Sequence, residues 1–276
     1  MPDHIDKKNH DIASPNEAIL ILILTLVIIF LISIIMFLIG FNNSYLLLAE
    51  AFFVLPAIIY VNFKRYSWKK SFRLKSINFD IFIPSVIIGL SLSIISSELD
   101  RLVELVFPMP DFLNQAIINS FTINSFSDLI IILSSSVFFA AISEELLFRG
   151  FVQTSFENSF DVTKAIMLTS LAFSIIHMNP WWTIQIILFA IFLGVMAWKS
   201  DSIIPPMIAH FINNGLSVLM INMSESSLSW YLYKGHVNPI LILIALGGLS
   251  FGMQLFYRNC DENKQETSNN RPSPEN

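Results

Sequence analysis

Three short clusters put ionisable and amide side chains inside strongly apolar stretches: Glu144-Glu145-Leu146-Leu147-Phe148-Arg149, Phe173 to His177, and His210 to Asn214. A charge at mid-membrane costs roughly 2.5–3.5 kcal/mol by insertion scales, so such residues mark function by default. On a helix, Glu145 and Arg149 share a face at a spacing of four, in the favourable order for an ion pair. Glu144 points about 100° away and has no partner on its own helix. The spacing therefore divides the two acids. Glu145 is expected to be a structural carboxylate held by Arg149, and Glu144 to face a polar cavity. A carboxylate in low-dielectric surroundings suits a general base working near neutral pH. Phe173 shares a face with His177, where it can pack on the imidazole, and His210 shares a face with Asn214.

Taken together, these side chains are one free carboxylate, two imidazoles and one amide. Peptide-bond hydrolysis uses such a set: the carboxylate takes a proton from water, an imidazole orients that water or serves the leaving amine, and neutral donors hold the oxyanion. Glu144, His177 and His210 are also a set that can hold zinc with an open fourth position, although the chain has no HExxH pattern. Residue types alone leave both readings open.

The elements that must position these residues are membrane helices. Of 276 residues, 54% are hydrophobic and only 13% charged, against about 25% charged in an ordinary soluble domain. The reading is an all-α, polytopic membrane helix bundle of about eight transmembrane helices: Ala18–Ile39, Tyr45–Phe63, Phe79–Ser97, Leu129–Phe148, Ala165–His177, Trp181–Trp198, Ile203–Met220 and Val237–Tyr257. Residues 1–17 form a polar tail, 18–258 the bundle, and 259–276 a polar segment expected to be disordered. With eight spans, thirteen of the sixteen basic residues fall on the side of both termini, and Arg101 and Lys234 alone on the other. That asymmetry predicts cytoplasmic termini.

The same span assignment brings two clusters to one level. Glu144 lies 16 residues before Phe160, and His177 lies 16 residues after Asp161. Both are then roughly 24 Å along their helices from the turn between them. His210 starts close to the end of its own span, so the segment Ser202–Pro206 is expected to enter the bundle as non-helical backbone.

The remaining features have plainer readings. Trp181, Trp182, Trp198 and Trp230 suit an aromatic belt. Gly248 and Gly252 form a GxxxG pair that permits close helix contact. Glu50 either lines the cavity or snorkels to the surface. Lone Cys260 implies no disulfide. The basic loop from Lys64 to Lys75, interleaved with Tyr66, Trp68 and Phe72, is read as a contact with anionic lipid and not with nucleic acid.

The series Glu-Glu-x-x-x-Arg, Phe-x-x-x-His and His-x-x-x-Asn, with Gly150 after Arg149, resembles the CPBP (Abi) family of intramembrane proteases. That family includes the eukaryotic CAAX prenyl endopeptidases and bacterial bacteriocin self-immunity proteins. The resemblance covers about residues 127–219. It implies that Glu144 activates water, His177 positions it, His210 and Asn214 bind the oxyanion, and Glu145 and Arg149 support the site. The family has been described as both metal-dependent and glutamate-based; the neutral Asn214 beside His210 favours the glutamate form, with no cofactor committed. The expected function is an intramembrane endopeptidase acting on peptide or membrane-protein substrates, in a multi-pass protein of a bacterial plasma membrane. The alternative is a catalytically idle member serving as a membrane scaffold or in self-immunity. A proton-coupled transporter predicts inverted repeats, and the sequence has none.

Overall fold

The computed structural model describes residues 11–40, 49 and 52–269. Its elements in chain order are α1 (Pro15–Leu38), α2 (Leu55–Lys64), α3 (Trp68–Ser71), α4 (Phe79–Val106), α5 (Asp111–Phe121), α6 (Phe126–Glu157), α7 (Val162–Ile176), α8 (Thr183–Ser200), α9 (Ile204–Ile221), a small hairpin of β1 (Leu232–Tyr233) and β2 (His236–Val237), and α10 (Pro239–Asn269). The molecule is an all-α membrane bundle. Among the described residues, six helices are long and apolar enough to cross a membrane: α1, α4, α6, α8, α9 and α10. The expected fifth span is α7, a shorter apolar helix of 15 residues. Of the expected second span only Val54 to Phe63 and a few preceding positions are described, and Glu50 lies outside the described residues.

Local chemistry explains the element boundaries. Ser14 caps α1, and the Glu17 carboxylate accepts from Ser14 N at 2.8 Å in return, a capping box with Pro15 opening the helix. The same carboxylate accepts from the Tyr60 hydroxyl at 2.7 Å, tying α1 to α2. Inside α4, Pro84 has no N–H for the carbonyl of Asp80. Asn259 Nδ2 donates to that carbonyl instead, at 2.6 Å.

That last contact also corrects the expected C-terminal boundary. The chain does not leave the fold at residue 259: α10 stays helical to Asn269, and residues 270–276 lie outside the described residues. The turn after Arg258 is held by Asn259, by the buried Cys260 and by an ion pair of Asp261 with Lys199 at 2.7 Å. A polar composition predicts disorder only where nothing satisfies it, and here α4 and α8 supply the partners. The basic loop is corrected in the same way. Ser71, Phe72 and Arg73 are buried in protein, so this part of the loop is not a lipid-facing surface.

Helix packing sets the frame for the site. α4 packs on α9 and α10, α7 on α8, α8 on α9, and the middle of α6 on α9. The expected non-helical entry at Ser202–Pro206 shortens to Asp201–Ile203. Pro205 and Pro206 sit in the first turn of α9, where a missing N–H breaks no helical bond. Entry is nevertheless buried: Ser202 is fully inaccessible and Ile203 nearly so.

Candidate active site

α6 is not a uniform helix. Its backbone is π-helical over Leu133–Phe139, α-helical over Ala140–Glu145, and π-helical again over Leu146–Val152. π segments inside α-helices recur at functional sites. Here they flank the turn that carries Glu144 and Glu145. The Ala140 N–H reaches back to Ser135 O, and the next carbonyl, Ser136 O, accepts from Asn214 Nδ2 at 2.9 Å. This bond fixes α9 against the first π segment, one turn beyond His210.

Glu145 is fully buried and serves two partners through one oxygen. Its Oε1 lies 2.6 Å from Arg149 Nη1 and 2.8 Å from His210 Nδ1. An ionised carboxylate only accepts, so His210 Nδ1 carries a proton and Nε2 is turned to the other side. On that side stands Glu144, its Oε2 3.9 Å from Nε2. The acids divide as expected, with Glu145 held by Arg149 and Glu144 on the cavity wall; what the spacing left out is that both meet His210. Adjacent carboxylates diverge by about 100° around the helix axis, and the His210 ring occupies the angle between them. Both approach one imidazole from opposite edges. A pattern confined to one helix does not reveal a partner 65 residues away.

Glu144 is 6% exposed, and its Oε2 accepts no hydrogen bond from protein among the described residues. It lines a cavity of about 690 Å³ together with Phe173, His177, His210 and Asn214. Glu145 and Arg149 lie behind that wall. His177 ends α7 and is exposed toward the cavity. Its Nδ1 lies 2.7 Å from Phe173 O, an acceptor only, so Nδ1–H donates there and Nε2 is left for the cavity. Phe173 is the hub of the ring packing. Its centroid is 4.7 Å from that of His177, and the Arg149 guanidinium carbon lies 4.3 Å from it. Its ring also meets Phe148 edge-on at 5.0 Å.

Several residues that build this arrangement were not singled out from the sequence. Ser136 holds Asn214 through a backbone carbonyl, so its side-chain type carries little signal beyond the Ser134-Ser135-Ser136 run. Phe189 of α8 meets the His210 ring edge-on at 5.8 Å, and one phenylalanine among 25 is not conspicuous. Gln153 was readable, because it continues the four-residue spacing of Glu145 and Arg149.

The zinc alternative needs Glu144, His177 and His210 to converge. Among the described residues, no three His, Cys, Asp or Glu side chains gather at metal-ligand spacing. His210 Nδ1 is engaged by Glu145, and His177 Nδ1 by Phe173 O. Each ring keeps Nε2 free, the nitrogen a metal would take when Nδ1 is hydrogen-bonded, but the three groups do not converge among the described residues.

Comparison with curated proteins gives no match, and comparison with solved structures gives none. Residues 126–216 match the model of the family described as type II CAAX prenyl endopeptidase Rce1-like, so the similarity covers the stretch holding Glu144, His177, His210 and Asn214.

Proposed function

We propose that the protein is an intramembrane endopeptidase in which Glu144 activates water against a peptide bond. The observation that carries this reading is the environment of Glu144: buried, with one oxygen unclaimed among the described residues, on the wall of a cavity it shares with two imidazoles and an amide. Glu144 takes a proton from water as the water oxygen bonds to the scissile carbonyl carbon. The carbonyl electrons move onto oxygen. That oxyanion is held by the second Nδ2 hydrogen of Asn214 and by His210 Nε2–H when the ring is doubly protonated. His177 Nε2 orients the water. Glu144 then passes its proton to the amine nitrogen as the C–N bond breaks, leaving an acid and an amine. Substrates are peptides or membrane-associated proteins that reach the cavity from the bilayer.

The topology belongs to the same reading. Eight spans with cytoplasmic termini keep Lys64–Lys75, Lys199 and Lys264 on one side. In support, Arg73 pairs with Glu157, Lys199 with Asp261, and Asn78 with Asn263, so these segments share one end of the bundle.

The test is cleavage of a peptide library by the full chain in lipid nanodiscs, compared with Glu144→Ala, each with and without a chelator. Cleavage by the wild type alone, unaffected by chelation, is the expected result. Equal cleavage by both proteins removes Glu144 from the chemistry. Loss on chelation with recovery on added zinc replaces the glutamate mechanism with a metal-dependent one. No cleavage by the wild type across the library favours the idle scaffold.

A further inference from the structure

We propose that the largely buried ion pair of Arg73 with Glu157 is a positioning element of the active site, which sets the register of α6 against α9 and so the approach of His210 to Glu144. The proposal rests on the endopeptidase reading. Its first support is a polar stripe. Glu145, Arg149, Gln153 and Glu157 are spaced by four and share a face of α6. Arg149 bonds back to Glu145 at 2.6 Å, and Gln153 Nε2 bonds forward to Glu157 Oε1 at 2.8 Å. Sideways, Arg149 and Gln153 donate to the carbonyls of Ala190 and Gly194, also four apart, at 3.4 and 2.9 Å. The stripe runs from the Glu145 that orients His210 to the Glu157 that meets Arg73.

Arg73 closes the circuit to α9. Its side chain is 6% exposed and reaches Glu157, while its own carbonyl accepts from Ile203 N, immediately before α9, at 3.3 Å. Two residues on, Lys75 O accepts from Ser202 Oγ at 2.6 Å. The backbone of Arg73 is left-handed, with φ of 48°. A residue with a Cβ adopts that conformation at a cost and keeps it where surroundings over-determine it. Beside it, Phe72 is seated in a notch of α6: a Cβ on Gly150 would lie 3.0 Å from Phe72 Cα. One short loop thus grips two of the three helices that carry the chemistry.

A buried ion pair is a poor device for stability, since apolar replacements of both partners are often neutral or stabilising. It is a better device for register. The double variant Arg73→Met/Glu157→Leu separates the two roles, measured in nanodiscs beside Glu157→Gln. Three readouts apply: kcat and KM on a cleaved peptide, the thermal midpoint, and the ¹⁵N resonances of the His210 ring, assigned by their loss in His210→Gln. The expected result is a midpoint held by the double variant, kcat lowered about 10- to 100-fold with KM within about twofold, and shifted Nδ1 and Nε2 resonances of His210. A double variant with wild-type kcat and unshifted resonances overturns the proposal. So does a fall in activity that only tracks a lower midpoint. If the wild type cleaves no peptide, the endopeptidase reading fails on its own, and the His210 resonances still decide this one.

Discussion

Two carboxylate–imidazole pairs in this molecule have the same length and different surroundings. Glu145 and His210 meet at 2.8 Å deep in the bundle, with side chains 0% and 5% exposed. Glu98, two turns before the end of α4, and His236 also meet at 2.8 Å, with side chains 18% and 40% exposed. The outer pair is a clip. Glu98 Oε2 takes Val237 N at 2.7 Å, and Arg101 donates to Gly235 O at 3.1 Å, so α4 grips the hairpin at its turn and along β2. Water competes for every charge in that clip. The Glu145 carboxylate of the inner pair is closed off from solvent, and protein meets it through Oε1, with both Arg149 and His210. Distance alone does not separate a site from a fastening; dielectric surroundings do.

The contrast can be broken by a graded set of variants. Glu144→Ala should have the largest effect, lowering kcat about 10²- to 10⁴-fold without moving the thermal midpoint. A retained rate in a peptide-cleavage assay would uncouple the inner cluster from chemistry. Glu145→Ala comes next. It strands the buried Arg149 guanidinium and the Nδ1–H of His210, and should destabilise the fold by about 3–5 kcal/mol, read as a lower denaturation midpoint in detergent. Gly150→Ala sharpens the picture of the loop beneath the site. Its new methyl meets the Phe72 backbone, which cannot swing aside, and should cost about 1–3 kcal/mol. The smallest change is expected for His236→Gln, at under about 1 kcal/mol. Salt should distinguish the pairs further: raising ionic strength from about 0.1 to 1 M shortens the screening length from about 10 to 3 Å, which should erase the His236→Gln difference and leave the Glu145→Ala one. Equal losses at Glu98 and Glu145 would show that burial does not govern the comparison.

Much of the architecture was readable from the chain. Apolar runs announce the helices, and counting residues from the α6–α7 turn brings Glu144 and His177 to one depth, where both line the same cavity. Other features resist such reading for physical reasons. A π segment displaces a helix face by one residue, and inside Leu133–Phe139 nearly every position is apolar or small, so the displacement leaves no mark. His210 reaches Glu145 through a tertiary contact that no local spacing encodes. Arg73 looks like one more lysine-loop cation because charge implies surface; burial becomes visible only once Glu157 and Ile203 are seen beside it. The extension of α10 escapes for the same reason, since Asn259 is satisfied by a carbonyl that Pro84 leaves open.

The contact between α4 and α10 bears on how the protein is made. Gly248 and Gly252 bring α10 against Ser91, Ile87 and Ile88 so closely that an added Cβ would lie 2.7 to 3.1 Å from their side chains. α4 leaves the ribosome long before α10 does. At about 5–20 residues per second, that strip of α4 waits roughly ten to thirty seconds for its cover. During biogenesis the nascent chain therefore presents an unfinished seam to lipid, and an insertase or membrane chaperone that shields Ile87 and Ile88 would have its opportunity in that interval.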